Sequence, residues 1–359
     1  MKLKTVCEIN PKCTIPEDCA EVSFIPMQGI SDDGKIDLSD VRICGDVKKG
    51  YTSFEEDDVL FAKITPCMEN GKGAIARGLT NRIGFGSSEF HVLRPNTSMV
   101  TSEWLYFLTS WTLFRRDAEK HMTGSAGQKR VPKKYLEDYE VNLPSLREQE
   151  QQTNVLSCLR RVIDLRKNEL QHLDNLVKAR FVEMFGNPIN NNKNWPTTEL
   201  INVVKMQRGF DLPVQDRHTD GGIPVYGSNG ILDFHDIAKI KGGGVITGRS
   251  GTIGNVYYTK GDYWPLNTTL FSADLHGNDV IYIAYLLQLY DLTRFVEGTG
   301  VPTLNRNMFH NKQVMNVPIN EQIKFSSFVK QIDKSKVAVQ KSLEETQLLF
   351  DKLMQEYFG

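Results

Sequence analysis

Two stretches of the chain carry a helical pattern of apolar positions. Apolar residues spaced alternately four and three apart form a seam along which one helix packs against another. In the later stretch these positions are Val339, Leu343, Thr346, Phe350, Leu353 and Tyr357. In the earlier stretch they are Leu170, Leu173, Val177 and Met184, with Leu176 and Phe181 widening the stripe. An amphipathic helix packed on its own domain would show a similar stripe, but two such helices would each need a separate partner surface.

Both predicted helices begin and end with the same signals. Each follows a proline and an acidic residue with glutamine, and each ends at Phe-Gly, where glycine suits the end of a helix. Neither contains proline or glycine in between. From residue 147 to residue 185 the first helix would be about 58 Å long at 1.5 Å per residue.

The segments before these helices alternate short apolar runs with turn signals. In the first, runs at residues 59–62 and 90–93 predict strands, and residues 104–118 predict a helix. In the second, residues 243–247 and 254–258 predict strands and residues 281–289 a helix. The polar stretch 187–194 predicts a linker between the first long helix and the second globular part.

The two halves are copies of one unit. Pro144 matches Pro318, Leu170 matches Leu343, and Phe185-Gly186 match Phe358-Gly359. A weaker match pairs Gly124-Ser125 with Gly298-Thr299. The sequence predicts an α+β fold with two similar globular α/β domains, residues 1–143 and 187–317, and two long helices, 144–186 and 318–359. Antiparallel pairing of these helices along their seams is the simplest closure, and it would give a coiled coil with pseudo-two-fold symmetry.

Composition restricts the class of protein. The 359 residues suggest about two domains, and 43 Lys and Arg against 44 Asp and Glu leave a net charge of −1. Such a balance argues against coating nucleic acid by bulk charge, but it allows a local basic surface. The six cysteines form no C-x-x-C pair, which argues against a disulfide framework or a zinc site. No apolar run reaches membrane-span length and no signal peptide is evident, so we expect a cytoplasmic protein without membrane contact.

Motifs for catalysis are weak. Residues 243–250, GGVITGRS, approach a phosphate-binding loop but have Arg249 in place of lysine and lack a following helix pattern. The histidines have no metal-ligand spacing, so no metal site is expected. Methyltransferase and serine-hydrolase signatures are missing, although Pro66-Cys67 keeps a small chance of nucleophile chemistry. A divergent nuclease acting through Asp57, Asp58 and Lys63 is the enzyme alternative, and metal-dependent cleavage by the purified chain would decide for it.

The loops contain residue types that bind DNA. Arg and Lys can bind guanine edges, Asn and Gln can bind adenine edges, and hydroxyl groups and backbone amides can hold phosphate. Solvated polar loops would have a similar composition. The candidates are Lys63, Asn70, Lys72, Arg77, Lys129, Arg130, Arg208, Ser228, Asn229, Arg249, Ser250 and Asn267. Arg249 and Lys63 occupy corresponding strand ends, and each is expected to contact its own half of a DNA site.

The chain resembles the DNA-specificity subunit of type I restriction-modification systems. The resemblance lies in residues 60–72 and 124–131 of the first copy and in residues 226–230, 248–254 and 267–269 of the second. It implies two target-recognition domains that each contact one half of a split double-stranded DNA site. It also implies helices that separate them and dock two methyltransferase subunits and the restriction subunits. No catalytic residue or cofactor is implied in this chain; S-adenosylmethionine, ATP and Mg²⁺ belong to those partner subunits.

The predicted helix length bears on the DNA site. A separation near that length exceeds one DNA turn of about 34–36 Å, so two half-sites with unread base pairs between them are expected. Because phosphate neutralisation dominates DNA affinity, a chain of net charge −1 would bind weakly alone. The methyltransferase is therefore expected to supply much of the affinity.

Overall fold

The computed structural model describes residues 1–125, 127–218, 220–297 and 302–359, and the chain divides into two compact units. Unit 1 comprises Met1–Leu165 together with Leu343–Gly359, and unit 2 comprises Arg166–Ser342. Each unit therefore contains one globular part and a portion of each of the two long helices. Gly298 and Thr299, the weaker match of the repeat, lie outside the described residues.

The globular part of unit 1 is built on two four-stranded sheets. Its strands are β1 Cys7–Ile9, β2 Glu21–Ile25, β3 Val41–Ile43, β4 Thr52–Glu55, β5 Val59–Ala62, β6 Gly73–Ile75, β7 Ile83–Gly86 and β8 Phe90–Pro95. Its helices are α1 Cys44–Val47, α2 Ser102–Ser110, α3 Thr112–Lys120 and α4 Lys133–Asp138, followed by the long α5 Leu146–Phe185, which continues into unit 2. One sheet has the antiparallel order β1-β8-β5-β6. The other has the order β3-β2-β7-β4, in which β2 and β7 are parallel.

Strand β5 shows why a continuous apolar run forms a strand here. All four of its residues are buried. Val59 and Phe61 face a core cluster that includes Trp104, whereas Leu60 and Ala62 face a different cluster. Successive strand residues point to opposite faces, so a strand covered on both faces needs apolar residues throughout. The strand predicted at residues 59–62 is confirmed.

The helix predicted at residues 104–118 is wrong as a single element. Helices α2 and α3 are separated at Trp111, whose φ of −64° and ψ of 130° are extended. The break turns α3 so that Phe114 and Ala118 are buried in the same core cluster as α2. Trp111 itself packs on the ring of Phe358, with centroids 6.4 Å apart. No proline or glycine marks the break, because tertiary packing rather than local preference places it.

Unit 2 repeats this plan. Its strands are β9 Thr197–Glu199, β10 Lys205–Arg208, β11 Ile223–Gly227, β12 Gly230–His235, β13 Gly244–Gly248, β14 Val256–Thr259, β15 Trp264–Pro265, β16 Thr269–Asp274, β17 Val296–Glu297, β18 Thr303–Leu304 and β19 Gln313–Met315. Its helices are α6 Val280–Tyr290, α7 Asn307–His310 and the long α8 Ile319–Phe358, which ends in unit 1. The antiparallel sheet β10-β16-β13-β14 corresponds to β1-β8-β5-β6. The sheet β12-β11-β15 again contains one parallel pair.

The long helices pack on one another within each unit. In unit 2, the rings of Phe181 and Phe185 lie 5.3 and 5.7 Å from that of Phe325, and Lys336 forms an ion pair with Asp174. Residue numbers rise along α5 as they fall along α8, so the two helices run antiparallel there. In unit 1, buried α5 and α8 side chains share one apolar cluster, namely Leu156, Ile163, Phe350 and Met354.

The predicted seam is confirmed along α8 and partly along α5. Val339 and Phe350 are each only 8% exposed, and Val177 and Phe181 are fully buried. Leu176, which was expected to widen the stripe, is 47% exposed. It lies on the helix next to Val177 and therefore points about 100° away from it, outside the packed face.

A buried glutamine holds the start of each long helix to its own domain. The Gln149 side chain accepts from Thr101 N at 3.0 Å and donates to Met99 O at 2.8 Å. Gln322 accepts from Asp279 N at 2.9 Å and donates to Val317 O at 2.8 Å. The acidic-Gln signal of the sequence therefore marks a buried hydrogen-bonded lock between helix and domain.

Candidate nucleic-acid interface

An equivalent strand in the antiparallel sheet of each unit ends in a basic residue. Lys63 follows β5 and Arg249 follows β13. In both units the backbone N–H donates to the residue before the neighbouring strand, and the backbone carbonyl accepts from a residue later in the chain. The partners are Glu89 and Val131 in unit 1, both at 2.9 Å, and Thr268 and Leu304 in unit 2, both at 2.8 Å. Lys63 and Arg249 are thus fixed at equivalent places by equivalent bonds.

In unit 2, three arginines line one cavity of about 280 Å³. Arg208 ends β10, Arg249 follows β13, and Arg306 precedes α7. None of the described lining residues carries a carboxylate. The lining is completed by Leu270, Thr303, Leu304, Asn305 and Asn307. A concave surface with this much positive charge favours a negatively charged ligand.

The sequence pointed to Arg208 and Arg249 but missed Arg306. A signal was present in the first copy, where Lys133 closely follows Lys129 and Arg130 in a basic cluster. Because Val131 and Leu304 make the same hydrogen bond to the strand end, Lys133 and Arg306, each two residues further on, occupy equivalent positions. An alignment of the two copies through this bond would have identified Arg306.

Ser228 and Asn229 form the two-residue turn between β11 and β12. Asn229 is exposed and Ser228 is half-buried. A Cβ on Gly251, whose φ is +81°, would lie 3.1 Å from Ser228 Oγ. The turn therefore contacts the loop that contains Arg249 and Ser250, and glycine suits that left-handed backbone.

Asn267 is brought to the same loop but its amide is already engaged. Its Nδ2 donates to Asp211, and its backbone carbonyl accepts from Arg249 Nη1 at 3.5 Å. The half-buried Ser250 donates its backbone N–H to Thr268 O at 3.2 Å. These contacts hold the loop in place. Among the described residues, none forms a hydrogen bond with the Ser250 hydroxyl.

In the equivalent site of unit 1, the arginine is paired with a carboxylate. Arg130 forms a bidentate pair with Glu89, with Nε and Nη2 at 2.9 and 2.7 Å from the two carboxylate oxygens. The hydrogen bonds from Arg130 lower the pKa of Glu89. Lys63 lies beside this pair and is half-buried. The guanidinium that sequence analysis assigned to DNA is therefore neutralised within unit 1.

A buried histidine lies beneath this pair. His91 Nε2 donates to Val131 O at 2.8 Å, and its Nδ1 accepts from Asn10 Nδ2 at 3.1 Å. Burial, together with the charges of Lys63 and Lys133, lowers the pKa of His91 to about 4. The ring is neutral at pH 7 and cannot add to the positive charge of this site.

The other four candidates of unit 1 differ in whether their side chains are exposed or are bonded to other residues of the unit. Lys72 Nζ donates to the carbonyls of Met27 and Ile30 at 3.1 and 2.9 Å, so it holds a neighbouring loop. Arg77 is paired with Asp57 at 2.7 Å and Glu103 at 2.6 Å. Asn70 and Lys129 are exposed. The structure therefore leaves Asn70 and Lys129 available to a ligand and engages Lys72 and Arg77 internally.

The carboxylates of the enzyme alternative are engaged in ion pairs. Asp58 is 1% exposed and its carboxylate lies 2.8 Å from Arg94 Nη2, while Asp57 pairs with Arg77. Lys63 follows the opposite end of β5. Among the described residues, no group of three or more His, Cys, Asp and Glu is placed to hold a metal ion.

Two further sequence motifs take a structural role. Residues 244–248 form β13, which is followed by a turn and β14 rather than by a helix, so the backbone of a phosphate-binding loop is not formed. Cys67 packs against an apolar cluster that includes Leu60 and Ala74. In the part of the chain that the structure describes, no helix has the length and apolar character needed to cross a membrane.

Comparison with protein families gives one match over most of the chain. The model of the type I restriction modification DNA specificity domain matches residues 1–175 and 192–347. Two curated proteins of Escherichia coli are similar over part of the sequence. The type I restriction enzyme EcoAI specificity subunit is 45% identical over 150 residues, which is 41% of this chain and 25% of that protein. The EcoEI specificity subunit is 39% identical over 175 residues, 48% of this chain and 29% of that protein. The matched stretch thus spans less than a third of either relative.

Solved structures are similar over the whole length. The S subunit of a type I restriction-modification system from M. genitalium superimposes with a TM-score of 0.62 at 13% identity, covering 100% of this chain and 95% of that one. A chain from a study of complex assembly in a type I R-M system gives 0.60 at 16% identity, covering 99% and 96%. At these identities the similarity shows the fold alone. It confirms the expected fold class of two similar α/β domains with long paired helices.

Proposed function

The chain belongs to the family of type I restriction modification DNA specificity domains, and on this premise we propose that it is the DNA sequence-recognition subunit of a type I restriction-modification complex. Residues 1–143 and 187–317 are its two recognition domains, and each contacts one half of a bipartite double-stranded DNA site. Residues 144–186 and 318–359 are the spacer helices, which dock two methyltransferase subunits and the restriction subunits. The chain has no catalytic residue of its own and acts in the cytoplasm.

The observation that carries this proposal is the equivalence of Lys63 and Arg249. Two copies of one scaffold place a basic residue at the same strand end, with the same backbone bonds, and surround it with different side chains. A duplicated scaffold with divergent loop side chains suits a protein that binds two different half-sites. S-adenosylmethionine, ATP and Mg²⁺ are then expected on the partner subunits.

Two exposed asparagines provide the test. Asn70 belongs to unit 1 and Asn229 to unit 2, and an asparagine can bind the N6 and N7 edge of adenine. Methylation-site sequencing of cells that express the chain with its methyltransferase should give a bipartite motif. We expect Asn229→Ala to relax one position of one half and Asn70→Ala to relax one position of the other, each at a cost of about 1–3 kcal/mol.

Each variant is the control for the other, because each should leave one half-site unchanged. Altered positions in the same half for both variants would contradict the modular assignment. Metal-dependent cleavage of DNA by the purified chain would contradict the non-catalytic role and favour the nuclease alternative.

A further inference from the structure

The arginine pocket of unit 2 has positive charge that no carboxylate among its described lining residues balances. Arg208, Arg249 and Arg306 line one cavity, and no ion pair involves any of them among the described residues. Arg249 Nη1 reaches only a backbone carbonyl, that of Asn267, at 3.5 Å. Guanidinium groups that line one cavity repel one another, and an anion between them relieves that repulsion. The cavity is therefore built for an anionic group.

The equivalent place in unit 1 differs in this respect. There Glu89 neutralises Arg130, and Lys133, the counterpart of Arg306, lies 3.5 Å from Glu137. Leu270, which lines the unit 2 pocket, corresponds to the neutral His91 in unit 1. Leu270 pairs in its sheet with the residue two positions before Arg249, and His91 pairs with the residue two positions before Lys63. The two sites share a backbone but differ in net charge.

The backbone of each of the three arginines is also held in place before any ligand arrives. Arg208 is paired in the sheet with Leu270. The backbone of Arg249 is bonded on both sides, to Thr268 and to Leu304. The Arg306 carbonyl accepts from His310 N at 3.0 Å, which fixes the start of α7. A backbone that is already fixed has less conformational entropy to lose when a ligand binds.

We propose that this pocket binds a phosphate of the DNA backbone and anchors the second recognition domain. The inference rests on the proposed function, because DNA supplies the phosphate. A guanine edge offers two acceptors and is satisfied by one arginine, whereas a phosphate presents oxygens in several directions and carries a full charge. Three convergent guanidinium groups therefore fit a phosphate better than a base, although the sequence alone suggested a base contact for Arg249.

Salt dependence of DNA binding tests this assignment. The chain, assembled with its methyltransferase subunits, is titrated by fluorescence anisotropy against labelled duplexes, one with the bipartite motif and others with one base of that motif changed. The titrations run from about 50 to 200 mM NaCl, the range over which phosphate contacts dominate the change in affinity. Arg306→Gln and Arg208→Gln should each weaken binding to every duplex alike. Each should flatten the slope of log K against log salt by up to about 0.9, the contribution of one phosphate.

The matched control is Lys260→Gln. Lys260 is exposed and follows β14, next to the start of β13, so it lies at the opposite end of that strand from Arg249. Its loss removes one charge from the same unit and should leave the slope near the wild-type value, because Lys260 lies outside the arginine pocket. Arg208 and Arg306 come from different segments, so if one variant fails to fold by circular dichroism the other gives the result.

The possible results distinguish the phosphate assignment from the proposed function. Wild-type binding with an unchanged slope in the folded arginine variants overturns the phosphate assignment and leaves the proposed function standing. An unchanged slope with lost discrimination at one guanine assigns the pocket to a base and also overturns it. A wild-type chain that shows no salt-dependent binding to any duplex, even when assembled with its methyltransferase subunits, contradicts the proposed function itself.

Discussion

Replacing Phe350 with alanine tests whether the seam of the long helices stabilises unit 1. Phe350 is 8% exposed and shares an apolar cluster with Phe107, Leu156 and Met354. Its ring centroid lies 6.4 Å from that of Phe107 and 5.5 Å from the guanidinium carbon of Arg160. The substitution therefore removes apolar contacts and a cation–π contact at once, and it leaves a cavity between helices that cannot close freely.

The expected loss is about 3–5 kcal/mol in the free energy of unfolding, the range for truncating a buried phenylalanine. The matched control is Leu348→Ala, two residues earlier on α8, where the side chain is 72% exposed. Both changes introduce alanine, the best helix former, so helix propensity does not account for a difference. We expect the control to change the free energy by about 0.5 kcal/mol or less.

Urea unfolding followed by circular dichroism measures both variants under one condition. A shift of the midpoint for Phe350→Ala and none for Leu348→Ala supports the seam. Equal shifts would refute the reasoning, because they would mean that the face containing Phe350 is no more buried in solution than the face containing Leu348.

Three further predictions concern polar groups. Gln322→Leu should lower the free energy of unfolding by roughly 2–5 kcal/mol, because it strands a buried N–H and a buried carbonyl that its amide now satisfies, and a thermal melt would reveal it. The pKa of His91 is lowered to about 4 in the folded chain, below its unfolded value of about 6.5. The free energy of unfolding should therefore fall by up to about 3 kcal/mol as the pH falls from 6.5 towards 4. His91→Leu should flatten that pH dependence, and an unchanged profile would contradict this prediction. Glu89→Gln should release the charge of Arg130 and steepen the salt dependence of DNA binding by up to about 0.9, whereas an unchanged slope would place unit 1's pair away from DNA.

Features set by short-range pattern could be predicted from the sequence. The buried run of β5 and the seam positions of α8 follow directly from the spacing of apolar residues, because strand and helix periodicity decide which side chains share a face. The duplication could be detected for the same reason, since matching residues recur at corresponding places. The break at Trp111 could not, because it depends on Phe358, which lies at the other end of the chain.

Whether each candidate basic residue is free or paired also could not be predicted from the sequence. Lys72 and Arg77 lie in the same stretch as Asn70, and composition gives no means to tell them apart. Folding brings the carbonyl of Met27 to Lys72 and the carboxylate of Glu103 to Arg77. Whether a loop cation is free or paired is a long-range property, so it is fixed only when distant segments meet.

Backbone hydrogen bonding explains how one scaffold can contact two different half-sites, as the proposed function requires. The bonds that fix Lys63 and Arg249 use only backbone N–H and carbonyl groups, so they place no demand on the side chains at those positions. Glu89 can therefore stand where unit 2 has Thr268 without moving the strand end. Substitutions at these positions change charge and hydrogen-bonding capacity while the geometry is retained, which is what a pair of duplicated recognition domains requires to diverge in specificity.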